Sequence, residues 1–209
     1  MVSEATKEIL GSVAYASTAD FKRIFTEDMG ALYLLSLLLT GDQDRAEECF
    51  VAGFGESTKG SRVFREWARS WARRTIIQSA IRLITPRHRS ERTTQRPISP
   101  RSLNYVPLVL EGEVCAILEL APLERFVFVM LVLEHYSEHD CSILLGCSRS
   151  DVVAALTRAL QHLGRSMSFH KNEAEAGSEG LSSPDSGRVI EMTITRYFTT
   201  PGWNTSLSA

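Results

Sequence analysis

The stretch LERFVFVMLVLEHYSEHDCSILLGCSRSDVVAALTRALQHL, Leu123 to Leu163, decides the fold. Phe126 to Leu133 is an unbroken apolar run, which predicts a helix buried on all sides. Two shorter helices follow, each with a marked start. Ser137 with Asp140, and Ser148 with Asp151, have the spacing of the capping box, in which a hydroxyl and an acid three residues on satisfy the open amides of a helix start. Gly146 stands where the turn between them needs a permissive backbone. Leu144, Leu145, Val152, Val153 and Leu156 supply the apolar contacts that would fix the angle between the two helices. This pattern predicts a helix-turn-helix whose second member, Ser148 to Leu163, is the reading helix. A helical corner without a DNA role has the same pattern.

Upstream, apolar residues recur at helical spacing from Asp20 to Thr85. Thr40-Gly41-Asp42 reads as a stop and restart, giving a helix from about Asp44 to Gly55, and a longer one from Arg62 to Ile84 ends before Pro86. The segment 87–107 holds five arginines and three prolines but few large apolar residues, the composition of a linker. Four helices are expected between Leu108 and Leu163. Beyond them, residues 167–209 are Ser-, Gly- and Glu-rich and read as a disordered tail, with a short alternation at Ile190, Met192 and Ile194. The fold expected is therefore all-α: domains at 18–86 and 108–166, joined by the basic linker 87–107.

The 209 residues carry a formal net charge of -2, which does not by itself mark a nucleic-acid binder. The distribution is uneven. Met1 to Thr58 has 4 basic and 10 acidic residues, Lys59 to Arg101 has 12 and 2, and Ser102 to Ala209 has 7 and 13. A basic band thus lies between two acidic flanks. The 4 cysteines show no secretory leader before them and no paired spacing, and the longest uncharged apolar run, Met29 to Thr40, is too short to span a bilayer. A cytoplasmic chain without membrane insertion is expected.

The stretch quoted above resembles region 4 of bacterial RNA polymerase sigma factors of the extracytoplasmic-function (ECF) type, in which the same elements follow in the same order. LTGDQDRAEECFVAGF, Leu39 to Phe54, is similar to region 2 of that family, matched at Ala46, Glu47, Glu48 and Phe54. Arg45, Val51, Ala52 and Gly53 stand where the family usually has acidic and amide residues. FREWARSWARRTIIQSAIRL, Phe64 to Leu83, falls where the family has its promoter-melting helix. The resemblance covers about residues 20–165. It implies an alternative sigma factor whose partners are core RNA polymerase, promoter DNA and, as in relatives, an anti-sigma protein that clamps both domains. A sigma mimic that keeps the fold but binds only protein, and a regulator using the helix-turn-helix alone, are the alternatives.

Region by region, the resemblance implies roles that the chemistry allows. Glu47 and Glu48 would dock on the polymerase's largest subunit, although acids near any helix start also oppose the macrodipole. Trp67, Arg69, Trp71, Arg73, Arg74 and Gln78 would engage the opened strand, since guanidinium groups neutralise phosphates and indoles stack on unpaired bases. Trp67 and Trp71, one helical turn apart, have packing into the core as their other reading. Arg149, Ser150, Asp151, Ala154, Ala155 and Arg158 would approach duplex DNA, on a helix poor in positive charge. His135, His139, Cys141 and Cys147 match no zinc spacing, so neither a metal nor another cofactor is expected. No nucleophile, base and acid set or phosphate-cradling glycine loop is present, and the expectation is a protein without catalysis. The sequence predicts that promoter affinity falls steeply as salt rises. Changing Arg73 and Arg74 together to Ala should flatten that slope in a binding titration against salt.

Overall fold

The computed structural model describes residues 15–59, 62–86 and 111–174. Among these, every regular element is helical, apart from one isolated bridge between Tyr15 and Phe64. Helix α1, Thr18–Glu27, starts on a complete capping box. The Ser17 hydroxyl accepts the Asp20 amide at 3.2 Å, and the Asp20 carboxylate accepts the Ser17 amide at 2.9 Å. Phe21, Ile24 and Phe25 recur at helical spacing and face the core.

The chain breaks at Asp28 and continues as α2, Met29–Thr40, so the periodic stretch from Asp20 to Thr40 is two helices. Six leucines of α2 are buried, which is why its sequence is apolar all round: it is the central helix that the others cover. Gly41 ends it with φ 71°, and the Asp42 carboxylate accepts the Arg45 amide at 3.0 Å to start α3, Gln43–Thr58. The expected stop and restart is there.

Helix α4, Ala68–Ile84, begins later than the expected Arg62, after a single tight turn, Arg65–Trp67. The reason lies in the preceding backbone. The Ala16 amide donates to the Val63 carbonyl at 2.7 Å, and Tyr15 stacks on Phe64 with ring centres 5.2 Å apart. Residues 63 and 64 are thereby held extended. α3 and α4 then pack closely. A Cβ on Gly53 would lie 2.5 Å from Ile76 Cδ1, and the buried hydroxyls of Ser57 and Thr75 share a hydrogen bond of 2.7 Å. Gly53 therefore serves helix packing.

The second half holds α5, Glu111–Leu118, α6, Pro122–Phe128, α7, Glu138–Leu145, and α8, Arg149–Ala174. The apolar run does not stay α-helical to Leu133. Val129–Leu133 widens into a π-type turn in which the Glu134 amide reaches back to the Val129 carbonyl at 3.0 Å, before His135 turns with φ 55°. Helix α8 runs past Leu163 to Ala174, into the stretch expected to be tail. The linker 87–107 and the alternation around Ile190 lie outside the described residues. The described helices of the two halves share one apolar core.

At the centre of that contact Arg125 of α6 is completely buried. Its guanidinium donates to the Leu39 and Thr40 carbonyls at the end of α2 (3.3 and 3.1 Å) and to the Leu118 and Leu120 carbonyls at the end of α5 (3.2 and 3.3 Å). Burial pushes its pKa down to about 10, so it remains charged at neutral pH. Helix C-termini carry unsatisfied carbonyls and partial negative charge, and a cation between two of them answers both needs. Gly41 leaves the room for it, since a Cβ there would stand 2.6 Å from the guanidinium carbon. Gly41→Ala combines a left-handed backbone, about 1–2 kcal/mol for an L-residue, with that clash. Urea unfolding should show a loss of about 2 kcal/mol or more.

Candidate nucleic-acid interface

The outward stripe of α3 is Asp44, Glu47, Glu48 and Val51, all exposed and spaced so as to share one face. Glu47 and Glu48 are therefore free to meet a partner. Ala46 is buried, and Phe54 is half-buried with its ring edge on Phe25 at 5.2 Å. Those two members of the expected docking set hold the helix in place and leave the contact to the acids. Val51, 67% exposed, adds an apolar point to the stripe.

On α4 and the turn before it, the two tryptophans part company. Trp67 is 57% exposed, with its ring edge against Phe64 at 5.1 Å, and Phe64 in turn stacks on the exposed Tyr15. This run of three rings faces solvent because the tight turn at Arg65–Trp67 rotates Trp67 off the buried face of α4. Trp71 packs against the core, and its indole N–H is buried with no hydrogen-bond partner among the described residues. The sequence offered no sign of Tyr15. Phe64 lay within the quoted segment, and its spacing to Trp67 was the available signal.

The arginines of this face differ in what holds them. Arg65 reaches Asp20 at 3.3 Å, while Arg69 pairs with Glu27 at 2.6 Å and with Asp28. The hydrogen bond to Asp28 raises the Arg69 pKa most. Arg73 forms a two-pronged ion pair with Glu134, Nε to Oε2 at 2.8 Å and a second N–H to Oε1. Arg74 and Arg62 are exposed, and Gln78 is half-buried. Exposed cations beside exposed rings are what capture of an unpaired strand requires.

In the helix-turn-helix, Gly146 takes φ 65° and closes α7. Ser148 and Asp151 form the full capping box, amide to carboxylate and amide to hydroxyl both at 3.1 Å. The Ser137 hydroxyl accepts the Asp140 amide at 3.1 Å, and its own hydrogen bond to the Asp140 carboxylate holds that carboxyl below its usual range. Of the expected DNA-facing residues, Arg149, Ser150 and Ala154 are exposed. Ala155 is not: it is buried with Val152 and Ala159 along the stripe that seats α8, so it cannot touch a partner. Val153, expected inside, is exposed, because the buried stripe passes through its neighbour Val152. Asp151 caps the helix, and Arg158 is tied to Glu124 at 2.7 Å. Among the described residues no cluster of three His, Cys, Asp or Glu side chains is placed to hold a metal ion. Burial pushes the Cys49 and Cys141 thiols up to about 12.

The two tryptophans make opposite predictions. Trp67→Ala should weaken binding of a single-stranded oligonucleotide by about 1–3 kcal/mol, the worth of one stacked base, and leave thermal stability nearly unchanged. Trp71→Ala should lower stability by about 3 kcal/mol. Anisotropy titrations and thermal melts separate the two.

No described helix is long and apolar enough to cross a membrane. No curated protein and no solved structure matches the chain. A family model does match: residues 114–163 fit "Sigma-70, region 4", the unit formed by α5 from Val114, α6, the π-type turn, α7 and the first part of α8. That match covers about a quarter of the chain and supports, for this domain, the role in promoter recognition and transcription initiation that region 4 carries.

Proposed function

We propose that the chain is an alternative sigma factor of the ECF type, acting in the cytoplasm without catalysis of its own. The observation that carries this reading is the presence, in a chain with a region 4, of a second surface suited to an opened strand: Trp67 exposed beside Phe64 and Tyr15, with Arg62 and Arg74 open to solvent. In this reading the stripe Asp44, Glu47, Glu48 and Val51 docks on core RNA polymerase. The exposed rings and arginines take the melted strand, and Arg149 reads a base edge in the major groove upstream. The division into domains at 18–86 and 108–166 belongs to the same proposal, as does an anti-sigma protein that covers both.

One observation favours a different reading, a sigma-like adaptor that binds protein only. The exposed face of α8 presents Val153, Ala154, Thr157 and Leu160, and Arg158 on that face is spent on Glu124. Such a face is poor in phosphate contacts.

Run-off transcription over a genomic fragment library, with core polymerase plus or minus this chain, decides between them. A sigma factor yields new starts sharing an upstream motif, and Arg149→Ala reduces affinity for that motif by about 1–3 kcal/mol. Binding to polymerase without any new starts establishes the adaptor.

A further inference from the structure

Two helices end at one cavity. α4 finishes at Ile84 and turns through Thr85 with φ 48°, and α7 finishes at Leu145 and turns through Gly146 with φ 65°. Thr85 and Gly146 both line a half-open cavity of about 430 Å³. A β-branched residue rarely takes a positive φ, and holds it only where its surroundings fix the backbone. Ile81, Leu123 and Leu145 give the cavity apolar walls, with the buried Pro86 beside them. Its polar lining is small, namely the Cys147 thiol, the Thr85 hydroxyl and the Asp151 carboxylate, one oxygen of which accepts the Ser148 amide at 3.1 Å. Sites for small molecules span ~300–1,000 Å³ and share this make-up of apolar walls with a few polar groups.

The charge around this cavity has one sign. A helix C-terminus presents carbonyls without intrahelical partners and a partial negative charge, and two such ends stand here together. Asp151 adds a full charge. Burial first, and then that carboxylate, hold the Cys147 thiol above its ordinary value, so the field of Asp151 extends into the cavity. The protein meets the same situation once elsewhere. Between the ends of α2 and α5 it places the Arg125 guanidinium, which donates to carbonyls of both. Between the ends of α4 and α7, no lysine or arginine is among the described residues that line the space. We infer that this cavity binds a small organic cation, a primary ammonium on an apolar body, which does at the ends of α4 and α7 what Arg125 does at the ends of α2 and α5. The ammonium donates to the Asp151 carboxylate, and the apolar body covers Ile81, Leu123 and Leu145. A neutral molecule of the same shape gains only the apolar contact, and an anion is repelled. Because Asp151 belongs to the first turn of α8, the bound cation touches the reading helix at its start.

Three probes that share one apolar body test it in the full chain by titration calorimetry: tryptamine, its neutral counterpart tryptophol, and the anion indole-3-acetate. Tryptamine is expected to bind about tenfold tighter than tryptophol, the worth of one charge-assisted hydrogen bond, and indole-3-acetate weakest of the three. Asp151→Asn keeps an oxygen for the Ser148 amide but removes the charge, and should erase the advantage of tryptamine over tryptophol. Leu145→Trp fills the cavity and should abolish binding of both. The place is checked without any variant by alkylation with iodoacetamide, read by peptide mass spectrometry. Tryptamine should slow the modification of Cys147 and leave that of Cys115 unchanged. Equal binding of the three probes, or no binding of tryptamine at millimolar concentration, overturns the inference. So does tryptamine binding that neither protects Cys147 nor responds to Leu145→Trp. Should Asp151→Asn fail to fold, the order of the three probes and the protection of Cys147 still decide.

Discussion

A guanidinium without a carboxylate partner among the described residues sits at the junction of the two halves, and the arrangement around it follows from how such a charge survives burial. Removing a cation from water costs several kcal/mol unless its hydrogen bonds are replaced. Arg125 replaces them with four main-chain carbonyls drawn from the ends of two helices. That requirement fixes where α2 and α5 stop, demands glycine at position 41, and sets α6 against both. The leucine-rich helix α2 can then be covered from both halves, because its end is no longer a row of unsatisfied carbonyls.

Function inherits this geometry. With α6 anchored, the π-type turn that follows it brings Glu134 over α4, and the arginines of that helix and of the segment before it are divided. Arg69 and Arg65 are held by acids of α1 and its end, Arg73 by the second half, and Arg62 and Arg74 face solvent. Net charge alone would treat all five as equivalent. The structure ranks them by the ion pair each would have to give up before taking another partner.

What was legible in the sequence was local. Ser148 with Asp151, Gly146, and the Gly41-Asp42 step each act within a few residues, so their roles could be read from spacing and appear as expected. What was not legible was long-range. The partner of Arg73 is 61 residues away, that of Arg69 about 41, and that of Arg158 34. No pattern along the chain announces such pairings. The late start of α4 has the same origin, since the bridge from Tyr15 that holds Phe64 extended comes from another part of the chain. Trp67 and Trp71 could not be told apart on periodicity, because a single tight turn rotates one of them outward. Arg125 stood just ahead of an apolar run, beside Glu124, and only the carbonyls contributed by Leu39, Thr40, Leu118 and Leu120 give it a purpose.

Helix α8 has a mechanical consequence of its own. Its 26 residues make a rod about 39 Å long at 1.5 Å per residue, yet the region 4 match ends at residue 163. The last eleven residues therefore form a spar of about 16 Å that extends beyond the matched unit to Ala174. The direction of that spar is set by the packing of Val152, Ala155, Ala159 and Leu163 at its base. A small rotation of α8 in its groove would swing that tip through a much larger arc, so that a slight change of seating at the base becomes a displacement of ångströms at Ala174.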